Sequence, residues 1–136
     1  MKRLLFLLLA LSAGCAQAGD LIFSTATWHP NAESEWNAIT PGISYRTNGY
    51  EVGVYRNSLK NDVTYNVPTK LYSVYVGRHF STPIPSTTLM VLIVSGYNAS
   101  VIPAAAFSVR TSAYTEVIVI PGIGTTPSAI SLRLVF

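Results

Sequence analysis

The last seven residues, Ile130-Ser131-Leu132-Arg133-Leu134-Val135-Phe136, place large apolar groups at 130, 132, 134 and 136, with Ser131 and Arg133 among the positions between them. Side chains of a strand point alternately to its two faces, so this segment reads as a β-strand with one face in apolar surroundings. Short stretches rich in Val, Ile, Tyr and Thr recur along the chain between clusters of Gly, Pro, Asn and Ser, and no stretch holds a helical period for more than a few turns. The sequence therefore predicts an all-β protein. Its strands are expected at about Leu21 to Trp28, Gly42 to Thr47, Tyr50 to Asn57, Lys70 to Phe80, Thr88 to Tyr97, Ala104 to Arg110, Ala113 to Ile120 and Ser128 to Phe136.

The amino terminus points to export. Met1-Lys2-Arg3 is a basic start, Leu4 to Leu11 an apolar core, and Ala16-Gln17-Ala18 a small-x-small cleavage site before Gly19. Residues 1–18 read as a signal peptide and 19–136 as one domain. Ser12-Ala13-Gly14-Cys15 offers a rival reading as a lipoprotein signal, although Leu11 stands one position too early for it. Cys15 is the only cysteine, so a chain starting at Gly19 has no disulfide framework and no thiolate metal site. Removing Lys2 and Arg3 leaves seven basic residues against six acidic ones, and the formal net charge falls from +3 to +1. The seven are scattered singly, which argues against a nucleic-acid partner. The apolar run Leu89 to Val94 is far short of the ~20 residues of a spanning helix, so any crossing must be made by strands. An exported strand that stops on Phe136 resembles the closing strand of bacterial outer-membrane barrels, where such an ending serves as an assembly signal.

Eight strands is the smallest common size for such a barrel, and strands of ~9 to 11 residues with short turns fit this length. The expected fold is an eight-stranded antiparallel up-and-down transmembrane β-barrel. Thr47-Asn48-Gly49 marks a tight hairpin, after which Tyr50, Val52 and Val54 share a lipid-facing side and Glu51, Gly53 and Tyr55 the other. A last hairpin folded about Gly124 and Thr125 sets Glu116 opposite Arg133 on the inner face, and Val117 opposite Leu132 and Val119 opposite Ile130 on the outer. A soluble periplasmic β-sandwich of similar strand count stays open as an alternative, but it has no need of a terminal aromatic or an outward apolar band.

Residues able to carry chemistry are few. His29 follows Thr27-Trp28 at the end of the first strand and precedes Pro30, at a rim where Trp28 suits an aromatic belt. Asn57-Ser58 closes the third strand, which runs parallel to the first, so both ends reach one rim. A histidine that takes a proton from a hydroxyl, oriented by an amide or carboxylate, is the minimum for acyl transfer. Read alone, Trp28 and His29 are equally interfacial anchors, and Asn-Ser is ordinary turn chemistry. His79, between Arg78 and Phe80, reads as a rim or interior polar residue, and no metal-ligand spacing includes it.

Thr27-Trp28-His29, Pro41-Gly42, Asn57-Ser58, Ile102-Pro103, Ile120-Pro121-Gly122 and the terminal Phe136 resemble, in that order, the landmarks of the PagP lipid A palmitoyltransferases. Those enzymes are eight-stranded outer-membrane barrels that move an acyl chain from a glycerophospholipid to lipid A. The resemblance spans almost the whole chain after residue 18, on motifs of two or three residues each. It implies His29 as general base and Ser58 as the hydroxyl or polarising partner, with Asn57 standing where the family has an aspartate. An aspartate balances an imidazolium by charge, whereas an asparagine only orients it. Only Gly19 and Asp20 precede the first strand, which leaves no room for the family's amphipathic helix, and the first loop is shortened to Pro30 through Thr40. The resemblance further implies lipid entry from the side, where Pro103 and Pro121 interrupt strand pairing, and an acyl pocket with Ala104, Ala106 and Ile118 facing inward; strand termination beside loops explains the two prolines equally well.

The expected protein is an outer-membrane monomer whose partners are membrane lipids, phospholipid and lipopolysaccharide, with no cofactor and no metal. The leading expectation is a lipid A acyltransferase. The alternative, favoured by Asn57 and the absent helix, is a non-catalytic small barrel that modifies the cell surface or binds lipid, lipopolysaccharide or a surface partner.

Overall fold

Asn48-Gly49 turns the chain through two residues in the left-handed region, at φ of 50° and 78°, and sets Thr47 opposite Tyr50. Asparagine and glycine reach that region at little cost, and a turn of this hand matches the twist of the strands that it joins. The computed structural model describes residues 19–30, 38–57, 72–96, 101–122 and 128–136. They form eight strands: β1 (Gly19–Trp28), β2 (Ile39–Thr47), β3 (Tyr50–Arg56), β4 (Tyr72–Ser81), β5 (Thr87–Val94), β6 (Ile102–Arg110), β7 (Thr115–Ile120) and β8 (Ala129–Val135). Each pairs antiparallel with the next and β8 pairs with β1, which closes an up-and-down barrel. Closure leaves no sheet edge, so the backbone is satisfied around the ring without a disulfide. The segment 1–18, read from the sequence as a signal peptide and containing Cys15, the expected loop tip at Gly124 and Thr125, and Ser58 lie outside the described residues.

The expected pairing of the last hairpin holds: Glu116 faces Arg133, Val117 faces Leu132 and Val119 faces Ile130. Phe136 seals the β1–β8 seam, exchanging two backbone hydrogen bonds of 2.8 Å with Leu21 and setting its ring edge-on to Phe23 at 5.9 Å. Several strand starts differ from expectation, β1 at Gly19 rather than Leu21 among them. β2 begins at Ile39 rather than Gly42, and β6 at Ile102 rather than Ala104. Both extensions run through a proline, Pro41 and Pro103, and Pro103, expected to interrupt strand pairing, stands opposite Ile93 within the β5–β6 ladder. A proline removes one donor from a strand without forbidding its extended geometry. β7 starts at Thr115 rather than Ala113, because the hydroxyls of Thr111 and Ser112 each lie 2.7 Å from that of Thr115 and hold 111–114 as a turn.

Alternation separates the two faces. The outer face carries Val52, Val54, Val74, Val76, Val91, Ile93 and Leu132, all exposed, with Trp28 and Tyr72 towards one rim and Tyr50, Phe80, Tyr114 and Phe136 towards the other. Inside, Ile22, Tyr75, Met90, Ala106, Ile118 and Val135 are buried together with Ser44, Glu51, Glu116 and Arg133. The rim at the ends of β1, β3, β5 and β7 carries the longer connections, here the loop rim; the opposite rim carries the short hairpins, here the turn rim.

β1 breaks its own alternation once. Ser24 pairs with Arg133 and Ala26 with Leu132, so Thr25 is an extra residue, and the β1–β2 register shifts at the same place. Residues directly opposite each other share a face. Ser24 therefore faces inward with Arg133 and Ala26 outward with Leu132, and beyond the bulge it is the odd-numbered residues that face inward.

Candidate functional site

The Thr25 bulge decides where His29 goes. Unbroken alternation would put it on the outer face with Leu21 and Phe23. Instead Thr27 faces inward, its hydroxyl 2.6 Å from that of Thr40 and donating to Ser131 Oγ at 3.2 Å, and His29 follows on the same side at the loop rim. Trp28, between them, is exposed. His29 Nδ1 lies 3.2 Å from the carbonyl oxygen of Ser128. A carbonyl only accepts, so Nδ1 carries the proton, and in the neutral ring the lone pair is on Nε2. Burial pulls the imidazole pKa below its ordinary value, with the Ser128 carbonyl acting in the opposite sense. The outcome is a half-buried histidine biased to its basic form.

Asn57 follows β3 at the same rim and is buried, its Nδ2 donating to the Gly96 carbonyl at 3.1 Å. That bond ties the end of β3 to the end of β5 over the start of β4. Gly96 has φ of 98°, and a Cβ there would stand 2.7 Å from the Tyr72 carbonyl, so the close passage demands glycine. The structure thus brings His29 and Asn57 to one rim, as expected. Their bonds to Ser128 and Gly96 run to different neighbours, and Ser58 lies outside the described residues.

Beneath this rim an apolar cluster occupies the β3–β7 side of the interior, where Met90, Leu92, Val94, Ala106 and Ile118 pack with Tyr75, flanked by Tyr55, Ile102, Ala104 and Ile120, while Thr27, Thr40, Ser73 and Ser131 add hydroxyls to the same half. Ala106 and Ile118 are buried, as the expected inward set requires. The turn-side half is ionic, and its centre is a residue that the sequence reading placed inside but gave no role. Glu51 Oε1 accepts from Ser44 at 3.0 Å and also from Tyr75 and Arg133; Oε2 accepts from Arg46 Nε at 3.0 Å and lies 3.0 Å from His79 Nε2. Arg46 Nη2 bonds both oxygens of Glu116 at 2.8 Å, and Arg133 Nη1 lies 3.8 Å from Glu116. Asp20 completes the cluster, 2.9 Å from Arg110 and 3.7 Å from Arg46. Three carboxylates thus meet three guanidiniums. One signal reveals this hub in the sequence: the Asn48-Gly49 turn sets Arg46 directly opposite Glu51. His79 is interior, with Nδ1 3.0 Å from Thr88 Oγ1, and is a member of the plug rather than of the rim site.

Gly53 makes this packing possible. Its cross-strand partner is Tyr75, whose ring covers it, and an added Cβ would lie 2.6 Å from Ser44 Cβ and 2.7 Å from Tyr75 Cε1. Gly53→Ala is expected to push the ring aside and loosen its hydroxyl from Glu51, lowering stability by about 1–3 kcal/mol. Urea unfolding in detergent reads this directly, and an unchanged midpoint would refute the role of the glycine.

Among the described residues no three His, Cys, Asp or Glu are grouped to hold a metal ion. The fold and interior define the class: a small closed antiparallel barrel with an apolar exterior, an ionic plug in one half of its interior and a packed apolar cluster in the other. Comparison of the chain with protein-family models, with curated proteins and with solved structures finds no match.

Proposed function

We propose that this chain spans the outer membrane as a PagP-like barrel and, at the rim bearing His29, transfers a fatty acyl chain from a phospholipid to lipid A. The division of the barrel carries this reading. An aliphatic band between two aromatic rims suits a bilayer outside, and inside, an apolar cluster lies under His29 and Asn57 while the ionic groups gather in the other half. That cluster offers an acyl chain a matching surface on the side where the histidine stands.

A lateral route is built into one seam. The β6–β7 ladder runs only from Arg110↔Glu116 to Phe107↔Val119, whereas β5–β6 continues up to Val94↔Ile102. Ala106 and Ile120, next in line, pair with Met90 and Ala129 but not across the seam. Pro121, which follows, has no N–H to give. Loopward of Phe107 the pairing register of these two strands goes no further among the described residues, so a lipid tail would have little ladder to break.

In this reaction a lipid A hydroxyl attacks the ester carbonyl of the phospholipid. His29 Nε2 takes its proton and returns it to the departing glycerol oxygen, leaving acylated lipid A and a lysophospholipid. Ser58 polarises the carbonyl and Asn57 supports the rim. The Asn57 amide, engaged with Gly96, also favours the second reading, a barrel that binds lipid or a surface partner without catalysis, since it cannot balance an imidazolium.

Mass spectrometry of lipid A from cells producing wild type, His29→Ala and Asn57→Asp separates the two. The expected result is an added acyl mass that falls by ~10²-fold or more in His29→Ala, with an acid limb of activity below the ordinary histidine value. No added mass in any of the three, with each barrel folded in the membrane, would leave the non-catalytic reading.

A further inference from the structure

Sorting the strand charges by face leaves a remainder. Among the described residues, Asp20, Glu51 and Glu116 all belong to the interior cluster with Arg46, Arg110 and Arg133. Two arginines stand on the outer face: Arg56, the last residue of β3, and Arg78, which lies opposite Tyr50 near the turn rim. No carboxylate shares that face, and neither arginine has an acidic partner among the described residues.

Arg78 is held in place all the same. Its guanidinium carbon lies 5.1 Å from the ring centre of Tyr50 and 5.2 Å from that of Phe80, both exposed on the same face. Val91 stands directly opposite it on β5, and towards mid-barrel its neighbours are Val52 and Val76. Contacts with aromatic faces leave the N–H donors of a guanidinium to bond at its edge, and its planar fork fits two oxygens of a phosphate. A cation fixed on an apolar face needs a counter-charge, and where that face meets lipid, headgroup phosphates supply one at the boundary.

We infer that Arg78, clamped between Tyr50 and Phe80, binds the phosphate of a bilayer phospholipid at the turn rim. This rests on the membrane-spanning reading, and it deepens that reading by naming a lipid contact that is independent of acyl transfer. The occupant is a lipid rather than free phosphate, because the flanking valines offer a path for acyl chains.

The test is native mass spectrometry of the barrel released from a non-ionic detergent with phosphatidylglycerol, diacylglycerol of the same chains, or inorganic phosphate. Wild type is expected to retain phosphatidylglycerol but neither of the other two, and Arg78→Gln to retain about fivefold less. Arg78→Lys is expected to fall between them, keeping the charge without the fork. Equal retention by wild type and Arg78→Gln overturns the inference, as does an equal loss in Arg56→Gln, which would point to net charge alone. Flotation of wild type with phosphatidylglycerol vesicles separates the two levels: failure to float overturns the membrane reading and this site with it, whereas flotation with unchanged lipid retention overturns the site alone.

Discussion

Glu51→Ala is expected to cost the barrel about 3–5 kcal/mol, the range for removing one partner of a buried ion pair. The loss is large because one carboxylate serves five groups, Ser44, Tyr75, Arg46, Arg133 and His79, drawn from β2, β4 and β8. Without it Arg133, which is almost wholly buried, keeps only Ser44 Oγ at 3.3 Å and Glu116 at 3.8 Å. An uncompensated guanidinium left at a position only 3% exposed is costly to keep there. Glu51→Gln retains an acceptor and should lose less. Heat-dependent mobility on gels and the urea midpoint both report the effect, and an alanine variant as stable as wild type would show that the hub is not what holds the turn-side half.

Glu116→Lys should be at least as damaging, since it removes the two 2.8 Å bonds to Arg46 and adds a third cation beside Arg46 and Arg133. Unlike a rim lysine, a side chain at 116 starts from an interior position that is 1% exposed. Charge reversal there combines lost pairing with repulsion, so the expected loss is about 3–5 kcal/mol or more. The double variant that combines Glu116→Lys with Arg133→Glu restores one opposite-charge pair across β7 and β8 and should recover part of the folding yield. Folding of Glu116→Lys at the wild-type yield would contradict the interior placement that the register gives this residue.

Much of the architecture was legible because β-structure writes its geometry locally. The alternation in Tyr50 to Tyr55 and in Ile130 to Phe136 separates inner from outer residues, and the Asn48-Gly49 turn and the Glu116↔Arg133 pairing each pin a register. The inward placement of Ala106 and Ile118, implied by the resemblance and permitted by their parity with Glu116, agrees with their burial. The strand starts were less legible, because Pro41 and Pro103 look like breakers and yet lie within β2 and β6. At the rim, His29 and Asn57 were named from residue type and strand direction, while the hydrogen bonds that hold them run to Ser128 and Gly96, 99 and 39 positions away in the chain.

The sequence by itself determined that this chain is a set of two-faced strands, how its hairpins align, and which residues of a regular strand share a face, because each of these depends on neighbours a few bonds or one turn apart. Only the tertiary structure decided that Thr25 bulges, so that His29 turns inward, and that Glu51 of β3 meets Arg133 of β8 across the lumen. Both depend on ring closure. The stagger of eight strands sets which inward side chains stand level with one another, and no local pattern encodes a distance that exists only once the last strand has met the first.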